Sequence, residues 1–119
     1  MESTAELATV GLFVRLEANA GREDDVEALL RGALPLAREE PTTSSWFALR
    51  LGPATFAVFA TFAGEAGRQA HLAGRAAAAL EEKAPELLAE APAVARIEIL
   101  ATLLPGPPGR HGSPVPPRP

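Results

Sequence analysis

From Val10 to Glu17 the side chains alternate with period two. Val10, Leu12, Val14 and Leu16 fall on one side, and Gly11, Phe13, Arg15 and Glu17 on the other, the pattern of a strand. Asn19-Ala20-Gly21 then turns the chain. Glu23, Asp24 and Asp25 follow, in the place where a helix N-terminus favours negative charge. Val26, Leu29, Leu30, Ala33 and Ala37 recur at helical spacing. Pro35 predicts a kink or an early end within that helix, and Pro41 closes it. A second strand is predicted from Trp46 to Leu51, with Phe47, Leu49 and Leu51 on one face and Trp46, Ala48 and Arg50 on the other. Gly52-Pro53 is a turn signal, and the short connection to a third strand, Thr55 to Phe62, makes the pair a hairpin. Residues 66–89 are helical in composition, interrupted near Gly74 and again at Pro85. A short helix there carries His71, and a longer one carries Leu80, Ala84, Leu87 and Leu88. A last strand is predicted from Val94 to Leu103, with Ile97 and Ile99 opposite Arg96 and Glu98.

The order βαββαβ predicts an α+β, ferredoxin-like domain, with four antiparallel strands carrying the helices on one face. The pattern assigns Phe47, Phe59 and Val14 to the helix side. It assigns Arg15, Glu17, Arg50, Arg96 and Glu98, together with Phe13, Trp46 and Val94, to the opposite face. Such a face is too apolar to stay wet and too charged for a monomer core, so two sheets packed face to face, a homodimer, are expected.

Organisation is read as a flexible lead at 1–7, the domain at 8–104, and a disordered Pro/Gly-rich tail at 105–119. The tail's one aliphatic side chain, Val115, cannot offset its ordering entropy. A PxxP spacing at Pro114 and Pro117 is of a kind that a Pro-rich tail produces by chance. The 119 residues carry a net charge of −4, which argues against nucleic-acid and anionic-membrane partners. No apolar run reaches the length of a membrane span, and the acidic start lacks a signal-peptide layout, so a soluble cytoplasmic protein is expected. The absence of cysteine excludes disulfides, thiolate metal sites and thiol catalysis; with only His71 and His111, no metal site is expected.

Phosphate-binding, hydrolase and zinc-protease signatures are absent. In the domain, His71 is the one side chain that ordinarily titrates near neutrality, so it is the candidate proton acceptor. Its structural alternative is a packed histidine with both ring nitrogens satisfied. Trp46 and Phe47 suit core or dimer contact, and Arg15 and Arg50 suit ion pairs with Glu17 or Glu98 in the interface.

Glu40-Pro41-Thr42-Thr43-Ser44-Ser45-Trp46-Phe47-Ala48-Leu49-Arg50 resembles the E-P-G-T-x-x-W-F-A-x-R segment of the antibiotic biosynthesis monooxygenase family. So does the Thr55–Phe62 strand, and so does Glu65-Ala66-Gly67-Arg68-Gln69-Ala70-His71-Leu72-Ala73-Gly74. The resemblance covers residues 8–104. It implies a dimeric α+β barrel with a small apolar pocket between sheet and helices, and oxygenation of anthrones or quinols without metal or flavin. On that chemistry the implied roles are His71 as catalytic base and Trp46, Phe47, Phe59 and Val14 as substrate walls, Trp46 joining them if its strand is bulged. The implied partners are a small aromatic substrate, O2 and a second copy of the chain. Ala60 stands where the family often has Asp, and Thr42 where it often has Gly, which removes one possible partner for a base. The heme-degrading branch is disfavoured, because Val14 and Thr61 occupy its Asn and Trp positions. The alternative is a non-catalytic ligand-binding or dimerisation module of the same fold.

Overall fold

In the computed structural model, residues 8–104 are described; the lead at 1–7, the tail at 105–119 and His111 lie outside the described residues. The first strand, β1, spans Val10–Glu17. Gly21, at a φ of +85°, supplies the left-handed turn that lets the chain reverse into the first helix. That helix, α1, spans Glu23–Arg38 and buries Val26, Leu30, Ala33 and Ala37 along one stripe. It does not end at Pro35. The ring sits on the exposed side, where water can reach the carbonyl left without a donor, so the proline is accommodated. The second and third strands, β2 (Thr43–Arg50) and β3 (Thr55–Phe62), form the expected hairpin. It is closed by the Leu51 N–H donating to the Thr55 carbonyl at 2.8 Å.

The helical region divides at Gly74 into α2 (Glu65–Leu72) and α3 (Arg75–Leu87). Pro85 is again exposed and lies within α3 rather than ending it. The last strand, β4, spans Ala93–Glu98, shorter than the sequence pattern suggests. The Ile99 N–H still donates to the Thr9 carbonyl at 2.9 Å, but beyond it Leu100 and Leu103, which the predicted strand included, are exposed and outside the sheet.

The strands order β2-β3-β1-β4, all antiparallel, which is the ferredoxin-like α+β topology. The main core lies between the sheet and helices α1 and α3, where Leu16, Phe56 and Val58 meet Val26, Leu30, Ala84 and Leu87. Full burial of a Leu or Phe contributes about 1.5–3 kcal/mol each, so this layer holds the domain together. A smaller cluster of Leu12, Ala60 and Phe62 lies at the other end of the strands.

Register decides which face each side chain meets, and here the sequence expectation is corrected. In an antiparallel pair, directly opposed residues point to the same face. Leu12, Val14 and Leu16 oppose Ala60, Val58 and Phe56, and these in turn oppose Trp46, Ala48 and Arg50. On β4, Val94 opposes Val14 and Arg96 opposes Leu12. Trp46, Arg50, Val94, Arg96 and Glu98 therefore share the helix side. Phe47 and Phe59 belong to the opposite, open face with Phe13 and Ile97. Both faces carry an apolar stripe, so alternation alone could not say which one is covered by helices. Arg50 is accordingly not an open-face ion pair. It donates to the Gly52 and Pro53 carbonyls of the hairpin turn, pairs with Glu27 at 3.2 Å, and lies over the Phe56 ring.

α2 lies across the end of the sheet and is tied there by Arg68. One guanidinium nitrogen donates to the carbonyls of Gly11 (3.0 Å) and Ile97 (3.3 Å), and the other pairs with Glu65. A largely shielded guanidinium bridging β1 and β4 fixes both the height and the rotation of the short helix that carries His71.

Candidate active site

Glu40 follows the end of α1, where its N–H still donates to the Ala37 carbonyl at 3.0 Å. Opposite it stands α2. At Gly67 a Cβ would lie 2.8 Å from the Thr42 carbonyl oxygen and 3.2 Å from Phe62 Cβ, so only glycine allows α2 to settle onto the 40–43 segment. His71 lies four residues on, which puts it on the same face of the helix as Gly67; both are buried. The close approach at Gly67 thus carries His71 onto Glu40, with Nδ1 2.5 Å from Oε1.

A carboxylate only accepts, so Nδ1 is the donor. In the uncharged form of the ring the lone pair is then on Nε2, which forms no hydrogen bond among the described residues. The Thr43 hydroxyl donates to the same Glu40 oxygen at 2.8 Å, and the Phe62 ring lies 5.5 Å from the imidazole, centroid to centroid. Glu40 and His71 keep only 14% and 8% of their side-chain surface exposed, so the pair is largely shielded from water.

Between the sheet on one side and helices α1, α2 and α3 on the other lies a cavity of about 200 Å³. Leu12, Val14, Trp46, Val58 and Leu80 form much of its wall, and His71 lines it too. Trp46 is there because it opposes Ala60, and a bulge brings Thr43 to the same side. The register between β2 and β3 shifts between Thr43 and Ser45, so that Thr43 and Trp46 both face the helix side despite their odd spacing. Thr43 then reaches Glu40, and Trp46 reaches the cavity.

Of the residues singled out from sequence, His71, Val14 and Trp46 are brought together on this cavity. Phe47 and Phe59 are not. They stack on each other across the open face, with centroids 6.2 Å apart. Glu40 was missed as a site residue, although it begins the segment that carries the family resemblance. Its signal was the pairing of a Glu in one motif with the His of another, 31 residues away, and only the fold brings those together. Ala60, where a carboxylate was noted as lacking, is fully buried between Leu12 and Trp46, and Glu40 is the carboxylate that the histidine meets instead.

Among the described residues no helix is long and apolar enough to cross a membrane, and no cluster of three or more His, Cys, Asp or Glu is placed to hold a metal.

This fold recurs in solved structures. Rv0793 from Mycobacterium tuberculosis matches at a TM-score of 0.71 and 17% identity, over 80% of this chain and 98% of its own. A crystal structure described as an antibiotic biosynthesis monooxygenase matches at a TM-score of 0.67 and 15% identity, over 77% of this chain and 99% of its own. The domain thus has the ferredoxin-like α+β fold of antibiotic biosynthesis monooxygenase structures. Much nearer in sequence is NE2512 from Nitrosomonas europaea, a protein of unknown function, with 50% identity and a TM-score of 0.83 over 87% of this chain and 100% of its own. The chain belongs to the family of NE2512. No protein-family model matches the chain, and neither does any curated protein.

Proposed function

We propose that the protein is a monooxygenase that oxidises a small aromatic quinol or anthrone-like phenol with O2, using no cofactor. The observation that carries this reading is the His71–Glu40 pair, shielded from water and set on the wall of an apolar cavity. His71 accepts the phenolic proton at Nε2, and Glu40 holds the other ring proton on Nδ1 and so fixes the tautomer. The phenolate carbanion passes one electron to O2, and the two radicals combine at carbon. His71 returns its proton to the resulting peroxide, and loss of water leaves a new carbonyl. The substrate supplies both reducing electrons, one oxygen atom enters the product and the other leaves as water. A dry apolar cavity favours this sequence, because it keeps the carbanion from being quenched by solvent protons.

The cavity volume supports the smaller members of that substrate class. An apolar cavity of about 150 Å³ takes benzene, so about 200 Å³ suits one or two fused rings. The carboxylate on Nδ1 leaves Nε2 without a partner among the described residues, unlike a packed histidine with both ring nitrogens satisfied, and this supports catalysis over a binding-only module.

The same proposal assigns the open sheet face to a second copy. Phe47, Phe59 and Phe13 form a row across β2, β3 and β1, and Phe47 is 49% exposed in the single chain. An apolar row of this kind needs covering.

The test is oxygen uptake with one- and two-ring quinols, a metal chelator present and a protein-free control subtracted. Uptake that saturates with substrate and falls at least tenfold in His71→Ala is the expected result. Uptake no faster than the control overturns the enzymatic reading.

A further inference from the structure

The cavity has a deep end and a mouth, and each carries one ionisable side chain. His71 is 7% exposed, whereas Glu81, on the second turn of α3, is exposed. These are the only ionisable side chains on the wall among the described residues. Ala76 is the first α3 residue on that wall, and Glu81 lies five residues further, about 7.5 Å along the helix at 1.5 Å per residue. Glu81 and Pro92 also line a neighbouring surface depression that contains Glu90, and no basic side chain lines either space. A ligand that extends along this wall from His71 to Glu81 therefore meets a carboxylate there, with no basic side chain in the lining.

We infer that Glu81 is a specificity-determining residue: the site takes aromatics with a hydrogen-bond donor, a hydroxyl or an amine, at the end remote from the reacting hydroxyl, and rejects those with a carboxylate there. The inference rests on the proposed site and narrows its substrate class to two-ended donors such as fused-ring diols and aminophenols. The physical basis is a sign difference. A donor gains a charge-assisted hydrogen bond to Glu81, whereas an anion meets like charge at the mouth. Because Glu81 is exposed, solvent screening limits the discrimination to about three- to tenfold.

Binding is measured by calorimetry under nitrogen, so that no oxidation occurs, with 1,5-dihydroxynaphthalene, 5-amino-1-naphthol and 5-hydroxy-1-naphthoic acid as probes. The parent is expected to bind the diol and the aminophenol about three- to tenfold more tightly than the acid. Glu81→Gln brings the three within about twofold, and Glu81→Lys places the acid first. An acid that binds the parent as tightly as the diol, an order unchanged in Glu81→Lys, or no binding of any probe overturns the inference. Oxygen uptake that fails while the binding order holds overturns the proposed chemistry alone. Uptake that succeeds without that order overturns only the role of Glu81.

Discussion

Glu40 Oε1 lies 2.5 Å from His71 Nδ1, although 31 residues separate the two in the chain. The contact depends on two others. The Gly67 approach seats α2, and the Thr43 hydroxyl donates to the same carboxylate oxygen. Partners that orient a functional histidine typically contribute about 10- to 100-fold, whereas a general base contributes about 10²–10⁴-fold. Glu40→Gln keeps the side-chain shape but loses the charge and the fixed acceptor. Its kcat for quinol oxidation is expected to fall about tenfold with KM changed less than about threefold, and that of His71→Ala to fall further. Steady-state oxygen uptake by both variants checks the ranking. A Glu40→Gln enzyme as fast as the parent would remove Glu40 from the mechanism.

Gly67→Ala tests how the site is built. The added methyl carbon would lie 2.8 Å from a backbone oxygen that no rotamer change can move. Overpacking of this kind costs about 1–3 kcal/mol, and here α2 must lift away from the 40–43 segment to relieve it. Urea denaturation is expected to show a loss in that range. The nuclear magnetic resonance signals of His71 are expected to shift, because its contact with Glu40 is stretched. Gly32, whose added Cβ would meet nothing within 4 Å, is the control, and Gly32→Ala on exposed α1 is expected to cost nothing.

The extent to which the site was legible follows from these contacts. Period-two and helical spacing located all four strands and the helices, because those signals are local. His71 stood out as the one titratable ring in the domain, and Val14 lay on a strand whose faces were read correctly. Phe47 and Phe59 were assigned to the wrong side, since Phe47-Leu49-Leu51 is as apolar as any core stripe and the sequence carries no mark of which side the helices cover. The bulge between Thr43 and Ser45 is likewise invisible to counting, yet it decides that Thr43 faces the same side as Trp46 and can reach Glu40. Glu40 could be seen only once α2 was laid over the 40–43 segment.

The open face gives the third prediction. Phe47 and Phe59 stack there at an interplanar angle of 16°, beside Phe13. If a second copy covers them, a charge placed at Phe47 is buried against apolar side chains without a partner, which is strongly unfavourable. The parent is expected to sediment as a dimer and Phe47→Glu as a monomer that keeps its far-ultraviolet circular dichroism. A parent that sediments as a monomer at tens of micromolar would remove the second copy from the proposal.

The last prediction concerns acid. Gln69 donates to one oxygen of Glu65 at 2.7 Å and Arg68 pairs with the other, and these partners hold the Glu65 carboxyl below its ordinary value of 4.5. The folded state therefore releases this proton more readily than the unfolded chain. A depressed folded-state value adds stability that is fully present above the unfolded value and is lost as the pH falls through the folded one. Glu65→Gln removes that contribution while keeping the shape. The melting temperature of the parent is expected to exceed that of Glu65→Gln by a constant, small margin above about pH 5.5, and the margin is expected to close as the pH falls below about 4. Because Glu65 is exposed, salt reduces the margin as well. A margin independent of pH from 3 to 7 would mean that the Glu65 charge makes no contribution, and that Arg68 holds α2 through the Gly11 and Ile97 carbonyls alone.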